Sequence, residues 1–217
     1  MDWQAFRVSM HAALLATILA TVFGVALGYL LAKTRFRGGP VVEAVLTVPM
    51  ALPPTVMAYY LLTQLGGPGP VRETSMKIFG HPLVFTFYGI VIAQTVESMP
   101  FVLRAARAAF ADVERKREEA ARAMGLAEWR VALLVSLPLA RRGILAGVAM
   151  GFGRALGDYA ATDQVSGHAT NTTTMSMKFY DDVFDRHTHE ARTLAYVQLA
   201  VAVLILVVVS KMGKTRV

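Results

Sequence analysis

Five long apolar runs constrain this chain more than any other feature. The first, residues 8–32, has His11 as its only ionisable side chain and exceeds the roughly 20 residues that a helix needs to cross a bilayer core. The other runs are residues 45–65, 83–103, 143–161 and 194–210. Inside lipid every backbone polar group must be hydrogen-bonded, so such runs form helices. The sequence therefore predicts an all-α integral membrane protein of about five spans, with residues 1–217 forming a single transmembrane domain.

The composition argues against the soluble classes of protein. Charged residues make up 17% of the chain, whereas soluble domains carry about 25%. The chain has no cysteine, so disulfides, thiolate metal sites and thiol nucleophiles are excluded. A signal peptide would begin with basic residues and have a shorter apolar stretch, whereas here Asp2 precedes a long one. We therefore expect the first run to be a true span.

Most of the 22 lysines and arginines lie in alternate connecting segments. They follow spans one, three and five: Lys33, Arg35, Arg37, Arg104, Arg107, Arg115, Lys116, Arg117, Arg122, Arg130, Arg141, Arg142, Lys211, Lys214 and Arg216. By the positive-inside rule these segments face the cytoplasm, which predicts an outside N-terminus and an inside C-terminus. The net charge of +7 is thus assigned to the membrane face and its lipid, without nucleic acid. Segments 66–82 and 163–190 are then predicted to be outer loops. The second contains enough apolar residues to form a packed or re-entrant element.

Span two contains three prolines, Pro49, Pro53 and Pro54. Each removes a backbone hydrogen bond and bends or breaks a helix. Freed backbone groups at membrane depth are tolerated only where protein or a water-filled cavity surrounds them. The prolines therefore indicate either the lining of a translocation pathway or a structural kink.

Three ionisable residues, Glu97, Arg154 and Asp158, lie inside predicted spans, where such groups usually mark a function or a partner. Arg154 and Asp158 are four residues apart on one helix face, which fits either a simple intrahelical pair or an anion pathway. Glu97 precedes Pro100 and can lie shallow enough to be wetted. The pathway candidates are Pro53, Pro54, Thr95, Ser98, Arg154, Asp158 and Thr162.

Two spans carry glycines at four-residue intervals. These are Gly24 and Gly28 in span one, and Gly143, Gly147 and Gly151 in span four. Glycines on one helix face let another helix approach closely. The pattern predicts packing within the chain or an interface with a second subunit.

No residue is assigned a catalytic or metal-binding role. The outer segment holds Asp181, Asp182, Asp185, His187 and His189. Their spacing matches no specific ligand set, which favours a solvated loop. The C-terminal Gly-Lys-Thr, residues 213–215, has a valine where a phosphate-binding loop requires its first glycine, so no nucleotide site is expected.

Residues 112–138, between spans three and four, are predicted to form a helix-turn-helix elbow in the cytoplasm. Asp112 is a suitable N-cap, Gly125 suits the helix end, and Pro138 suits the first turn of span four. One apolar stripe is expected on this basic helix, made of Val113, Ala120, Ala121 and Met124. The elbow could enter another protein's groove or lie on anionic lipid.

This elbow resembles the EAA signature of permease subunits of ATP-binding-cassette importers. Glu119-Ala120-Ala121 is followed after three residues by Gly125 and after nine more by Val135-Ser136-Leu137-Pro138. The match spans twenty residues, so it is more specific than a short motif. Residues 48–54, 85–89 and 152–162 are similar to strings of the molybdate and tungstate permeases. Sulfate permeases share much of this pattern.

The resemblance implies a function and partners. The chain would be a multi-pass permease subunit in the cytoplasmic (inner) membrane of a prokaryote, importing molybdate or tungstate, or alternatively sulfate or thiosulfate, by alternating access. Two copies would form the pathway as a homodimer, and two separate ATPase subunits holding ATP and Mg²⁺ would dock beneath. A periplasmic or lipid-anchored binding protein would deliver the oxyanion. This chain would itself bind no cofactor.

The resemblance also implies roles within the elbow. Glu119 would anchor docking, Ala120 and Ala121 would permit close approach, and Gly125 would make the turn. Leu137 and Pro138 complete the signature, and Pro138 would restart the span. Two rival functions remain: an intramembrane enzyme using Glu97 or Asp158, and a membrane scaffold whose elbow binds lipid or another partner.

Overall fold

The computed structural model describes residues 2–34, 37–167 and 172–213, and these residues form helices joined by short turns. The helices are α1 (Trp3–Lys33), α2 (Gly39–Ala51), α3 (Pro54–Gly66), α4 (Pro70–Phe79), α5 (Phe87–Ala111), α6 (Arg115–Ala123), α7 (Glu128–Val131), α8 (Leu137–Leu156), α9 (Ala160–Ser166), α10 (Met175–Phe184) and α11 (Thr188–Gly213). A π-helical segment, Ala132–Ser136, joins α7 to α8. The predicted all-α class is confirmed.

Helix α5 lies at the centre of the fold, with α1 and α8 packed against it. A Cβ atom added at Gly28 of α1 would lie 2.9 Å from the Ala106 Cβ, and one added at Gly147 of α8 would lie 2.5 Å from the Ala105 Cβ. The glycine faces of both helices are therefore occupied by α5. This confirms packing within the chain, and the alternative of a subunit interface on these faces is wrong.

The helices do not share the bounds of the predicted spans, and the bounds of the spans within the membrane stay a prediction. Asp2 accepts hydrogen bonds from the backbone N–H groups of Gln4 and Ala5, so α1 begins at Trp3 and not near residue 8. The run 45–65 is two helices, α2 and α3, bent by 110° where Pro53 and Pro54 interrupt the backbone hydrogen bonds. The run 143–161 ends early because α8 stops at Leu156. Helix α5 begins and ends later than the third run, and α11 extends beyond both ends of the fifth run.

The number of spans stays a prediction. By length and composition, two stretches among the described residues can cross a membrane, Trp3–Lys33 and Glu128–Leu156, and the bent pair α2 and α3 would be a third. Helix α5 has 25 residues but includes the buried polar residues Gln94, Glu97 and Ser98. Because other helices surround these side chains, α5 does not need a lipid-compatible surface there.

Many of the predicted cytoplasmic residues lie at one end of the molecule. Lys33, at the end of α1, pairs with Glu118 of α6 at 2.8 Å, and Arg107 of α5 pairs with Glu43 of α2. At the other end the Met175 backbone N–H donates to Ser9 Oγ at 2.7 Å. Which end faces the cytoplasm stays a prediction, and Arg35, Lys214 and Arg216 lie outside the described residues.

The outer segment 163–190 contains the helix α10, which agrees with the predicted packed element. Met175 and Met177 are buried, whereas Phe184 is exposed. Thr174 begins this helix by accepting a hydrogen bond from the Met177 backbone N–H. Residues 168–171 lie outside the described part, so the segment is described only on either side of them.

Candidate functional site

The break between α8 and α9 positions one buried carboxylate. Helix α8 ends at Leu156, and Asp158 lies in the turn that follows. Its Oδ2 accepts the Thr162 backbone N–H at 2.9 Å and the Thr162 hydroxyl at 2.6 Å. Both residues are buried. A carboxylate at the first turn of a helix satisfies otherwise unpaired N–H groups, so Asp158 fixes the start of α9.

Arg154 connects this break to the central helix. Its Nη2 donates to Glu97 Oε2 of α5, and its Nη1 lies 3.4 Å from Asp158 Oδ1. The predicted intrahelical pair is therefore incomplete, because the shorter contact is to a residue 57 positions away. We call Glu97, Arg154, Asp158 and Thr162 the polar junction.

The polar junction contains two buried carboxylates, Glu97 and Asp158, and one guanidinium, Arg154, whose side chain is 29% exposed. Glu97 is 3% exposed, so the expectation that it is shallow and wetted is wrong. In this conformation both terminal nitrogens of Arg154 are directed at carboxylates, so the guanidinium is not free to bind an anion. The junction thus joins α5 to the α8–α9 break, and its pathway role stays a prediction.

The other pathway candidates lie outside the polar junction and differ from one another in burial. Thr95 donates to the Val91 carbonyl at 2.6 Å and Ser98 to the Thr95 carbonyl at 3.3 Å, so both hydroxyls serve their own helix. Pro53 and Pro54 are exposed at the bend between α2 and α3, whereas Ser98 is fully buried. The structure therefore brings Arg154, Asp158 and Thr162 together but not the whole predicted set.

Gln94, on α5 one turn before Glu97, was missed by the sequence analysis. It is 1% exposed, and its Oε1 has no hydrogen-bond partner among the described residues. A polar amide inside a predicted span was the available signal, since such groups are costly without partners. The Gln94 carbonyl oxygen is therefore a buried acceptor on α5, one turn away from Glu97 of the polar junction.

The elbow begins differently from the prediction. Asp112 caps the end of α5, with its backbone N–H donating to the Ala108 carbonyl at 3.1 Å, and Glu114 precedes α6 without a side-chain cap bond. The expected N-cap at Asp112 is therefore wrong. Helix α5 continues beyond the predicted third span to Ala111, and the first helix of the elbow, α6, begins at Arg115.

The predicted turn at Gly125 is confirmed. Its φ is +85°, in the left-handed region that favours glycine, and its N–H donates to the Arg122 carbonyl at 2.9 Å. Across this turn Arg122 Nε donates to Glu128 Oε1 at 2.6 Å. That hydrogen bond lowers the pKa of the Glu128 carboxyl, so the pair ties α6 to α7 at neutral pH.

The elbow re-enters the bundle without a break. Glu128–Leu156 runs as one helical stretch, in which the Leu137 N–H donates to the Ala132 carbonyl, five residues back, at the end of the π-helical segment. Pro138 lies in the first turn of α8, as predicted. It does not restart an interrupted helix, because the wider π turn lets the helix continue past a residue without an N–H.

The predicted single apolar stripe is wrong, because its members lie on both the buried and the exposed side of the elbow. Val113 and Ala121 are buried, whereas Ala120 is exposed and Met124 is 74% exposed. Glu119 is on the outward side, where it pairs with Arg115 at 2.9 Å. We define the elbow surface as Glu119, Ala120, Met124 and Trp129, all exposed to solvent.

The inward face of α6 carries a residue that sequence reasoning missed. Glu118 is 2% exposed and accepts a hydrogen bond from Ser136 at 2.6 Å. The signal was the doublet Glu118-Glu119: neighbouring helical residues point about 100° apart, so the two carboxylates cannot share one face.

The acidic outer cluster is not a uniformly solvated loop. Asp182 is buried and pairs with Lys178 at 2.9 Å, with His187 Nδ1 at 3.9 Å. The hydrogen bond to Asp182 raises the pKa of Lys178. Among the described residues, no group of three or more His, Asp or Glu side chains is placed to hold a metal ion.

Comparisons with known proteins agree with this architecture. Residues 24–213 match the family described as binding-protein-dependent transport system inner membrane component. The molybdenum transport system permease protein ModB of Escherichia coli K12 is 37% identical over 161 residues, covering 74% of this chain and 70% of that protein. The sulfate transport system permease protein CysT of the same strain is 30% identical over 203 residues, covering 93% and 73%.

Solved structures share the fold. An inward-facing MetNI methionine transporter chain has a TM-score of 0.72 at 17% identity and covers 97% of this chain and 95% of its own. A chain from a bacterial alginate importer has a TM-score of 0.76 at 14% identity, covering 99% and 79%. At these identities the likeness concerns the fold alone.

Proposed function

This chain belongs to the family of binding-protein-dependent transport system inner membrane components, and from that membership we propose that it carries molybdate through the membrane of a prokaryotic cell. It is a permease of the ATP-binding-cassette importer type. The proposed transport proceeds by alternating access, driven by ATP hydrolysis on separate subunits that dock on the elbow surface.

The elbow is the observation that carries this proposal. Ala120, Met124 and Trp129 are apolar and exposed, and exposed apolar side chains on a charged segment favour a protein partner. The pair of Arg122 with Glu128 ties α6 to α7, so the two helices that carry these side chains keep a fixed relative position. Exposed apolar side chains beside charged ones, such as Glu119 and Arg115, are typical of a docking surface.

The assembly follows from the membership of the family. We expect two copies of the chain to form the pathway, two ATPase subunits to hold ATP and Mg²⁺, and a periplasmic or lipid-anchored protein to deliver the anion. An oxyanion stripped of water is expensive to move through hydrocarbon. A wet, weakly polar lining that binds little is therefore expected, with selectivity supplied by the delivery protein.

The substrate proposal rests on relatives of known name. Proteins named as molybdenum transport permeases from Escherichia coli, Haemophilus influenzae and Azotobacter vinelandii are 31–37% identical. A relative named as a probable molybdenum permease from Haloferax volcanii is 44% identical over 156 residues, covering 71% of this chain and 55% of that protein. Molybdate is therefore proposed, with tungstate as its close analogue and sulfate or thiosulfate as the alternative.

Co-purification tests the docking proposal. The tagged chain is purified in mild detergent from its native cells, as wild type, as Glu119→Lys and as the control Glu114→Lys. Glu114 is also an exposed glutamate of the same segment, and it also pairs with a nearby arginine, so it controls for the change in charge. We expect a stoichiometric ATPase subunit in the wild type and control, and its loss in Glu119→Lys. A wild-type protein without any ATPase would favour the enzyme or scaffold.

Uptake competition tests the substrate. Cells expressing the complete importer take up labelled molybdate while unlabelled tungstate, sulfate or thiosulfate is added in excess. Inhibition by tungstate with little inhibition by sulfate is expected. The reverse order would replace molybdate by sulfate while leaving the permease assignment intact.

A further inference from the structure

Glu118 is the only residue of α6 besides Ala121 that is buried. All the other residues of this helix are at least partly exposed, as its charged sequence requires. Burying a carboxylate costs several kcal/mol unless it is paired and hydrogen-bonded. A buried acid on an otherwise solvated helix therefore indicates that its partners hold that helix in place.

The partners of Glu118 come from distant parts of the chain. Glu118 Oε1 lies 2.8 Å from Lys33 Nζ, at the end of α1, and accepts the Ser136 hydroxyl at 2.6 Å. Arg122, on the same helix, lies farther away, with its Nη2 4.0 Å from Oε2. One carboxylate oxygen thus connects the elbow helix to α1 and to the start of α8.

The other contacts of α6 described above lie within the elbow: Arg122 pairs with Glu128 and so connects α6 to α7. The chain enters α6 through the turn at residues 112–114 and leaves it through the turn at Gly125. Turns of this kind permit local reorientation, because few backbone hydrogen bonds cross them. The ion pair of Glu118 with Lys33 provides a direct contact through which a displacement of α6 can reach α1.

The position of Ser136 supports the same conclusion. It is the last residue of the π-helical segment and is fully buried. A π turn is rare and is found frequently at functional positions. Its occurrence at the residue that donates to Glu118 links the continuous helix from Glu128 to Leu156 with the inward face of α6.

We propose that Glu118 is the positioning residue that makes the elbow move as one body with α1 and α8. Lys33 and Ser136 hold its carboxylate, so a displacement at Ala120 and Met124 is transmitted to two membrane helices at once. This inference rests on the proposed function and deepens it. Glu118 does not contact the ATPase, since the residue is buried, and it therefore differs from Glu119 in what its loss should do.

The test uses the complete importer in proteoliposomes, with the ATPase and binding protein present. The double variant Lys33→Met/Glu118→Gln removes both charges together, so neither is left buried and unpaired. We expect the ATPase subunits to remain bound while molybdate imported per ATP hydrolysed falls about tenfold, within the usual range of coupling between sites. An unchanged ratio would overturn the proposal.

A matched control lies at the other end of the molecule. Lys178 and Asp182 form a similar pair at 2.9 Å, with the carboxylate 3% exposed. The double variant Lys178→Met/Asp182→Asn should keep the wild-type ratio of import to hydrolysis. An equal loss in this control would show that any such pair matters for stability alone, and would overturn the specific role of Glu118.

Exchanging the two charges tests whether the ion pair itself, and not the identity of either residue, is responsible for the effect. Lys33→Glu/Glu118→Lys restores opposite charges at the same positions and should recover most of the ratio, whereas no recovery would overturn the ion pair as the cause. If the neutral double variant does not assemble, Ser136→Ala is measured instead. It removes a single hydroxyl, and a normal ratio of import to hydrolysis in this variant would contradict the proposal.

Failure of the wild-type complex to hydrolyse ATP or import any oxyanion would instead reject the proposed function itself.

Discussion

Three buried carboxylates show how single residues connect distant parts of this chain. Glu97 binds Arg154 from another helix, Asp158 binds Thr162 across the α8–α9 break, and Glu118 binds Lys33 and Ser136. In a low-dielectric interior each carboxylate needs such donors. The burial of these acids therefore defines contacts that the fold must keep.

The polar junction leads to a prediction about stability. Arg154→Met would leave Glu97 and Asp158 buried without their cation, and removing one partner of a buried pair costs about 3–5 kcal/mol. The thermal unfolding of the detergent-purified protein should therefore shift strongly downward.

Arg117→Met is the control for that measurement. Arg117 pairs with Glu114 at 2.9 Å on the exposed side of the elbow, and exposed pairs contribute about 0–1 kcal/mol. Its unfolding temperature should stay near that of the wild type. If Arg154→Met were as stable as Arg117→Met, the cluster would not hold α5 to α8.

At the scale of elements, breaks and turns decide where side chains are placed. The bend at Pro53 and Pro54 divides one predicted span into two helices, and the break at Gly157 separates α8 from α9. Each break ends one helix and begins another, so it presents unpaired N–H or carbonyl groups to nearby side chains. Asp158 uses the second break in this way.

The turn at Gly125 predicts a conformational effect. Gly125→Ala places a Cβ in open space, with no atom within 4 Å, but at a φ of +85°. A left-handed conformation costs a non-glycine residue about 1–2 kcal/mol. The variant should lower the unfolding temperature and reduce import per ATP hydrolysed, because α6 and α7 no longer keep their relative orientation.

Gly69→Ala is the matched control. Its added Cβ also meets no atom within 4 Å, but its φ of 163° is an extended conformation that any residue adopts. Stability and transport should remain at wild-type levels. A decrease of equal size in both variants would mean that the loss of glycine itself, and not the left-handed turn, is responsible.

At the scale of the whole molecule, close packing of small residues around α5 determines the architecture. Gly147 meets Ala105, and Gly28 meets Ala106, so backbones approach at positions without bulky side chains. Lipid gives no hydrophobic driving force between helices, and such close contact is a main source of their association.

This packing predicts a difference between two glycines of the same helix. Gly147→Ala adds a Cβ 2.5 Å from the Ala105 Cβ, whereas Gly153→Ala adds one 3.5 Å from Ile205, an ordinary contact. Overpacking costs about 1–3 kcal/mol, so only Gly147→Ala should lower the unfolding temperature. Equal stability of the two variants would contradict the central position of α5.

Local sequence determined the features that depend on neighbouring residues. Apolar run length indicated helices, proline placed the break in span two, glycine spacing indicated close packing, and Gly125 indicated a left-handed turn. These properties follow from backbone sterics and from the solvent requirements of a helix, so they can be inferred without knowing what lies beside it. The EAA string indicated the family for the same reason, since it lies within one short segment.

Only the tertiary structure decided which residues meet. Glu97 and Arg154 are 57 positions apart, and Glu118 and Ser136 are 18 apart, so helical periodicity carries no information about either pair. The same is true of the inward face of α6, because the apolar residues of this polar helix do not mark its buried side: Ala121 is buried whereas Ala120 is exposed. These contacts depend on the angles and depths at which whole helices pack, and those are set by the summed shape of many small side chains.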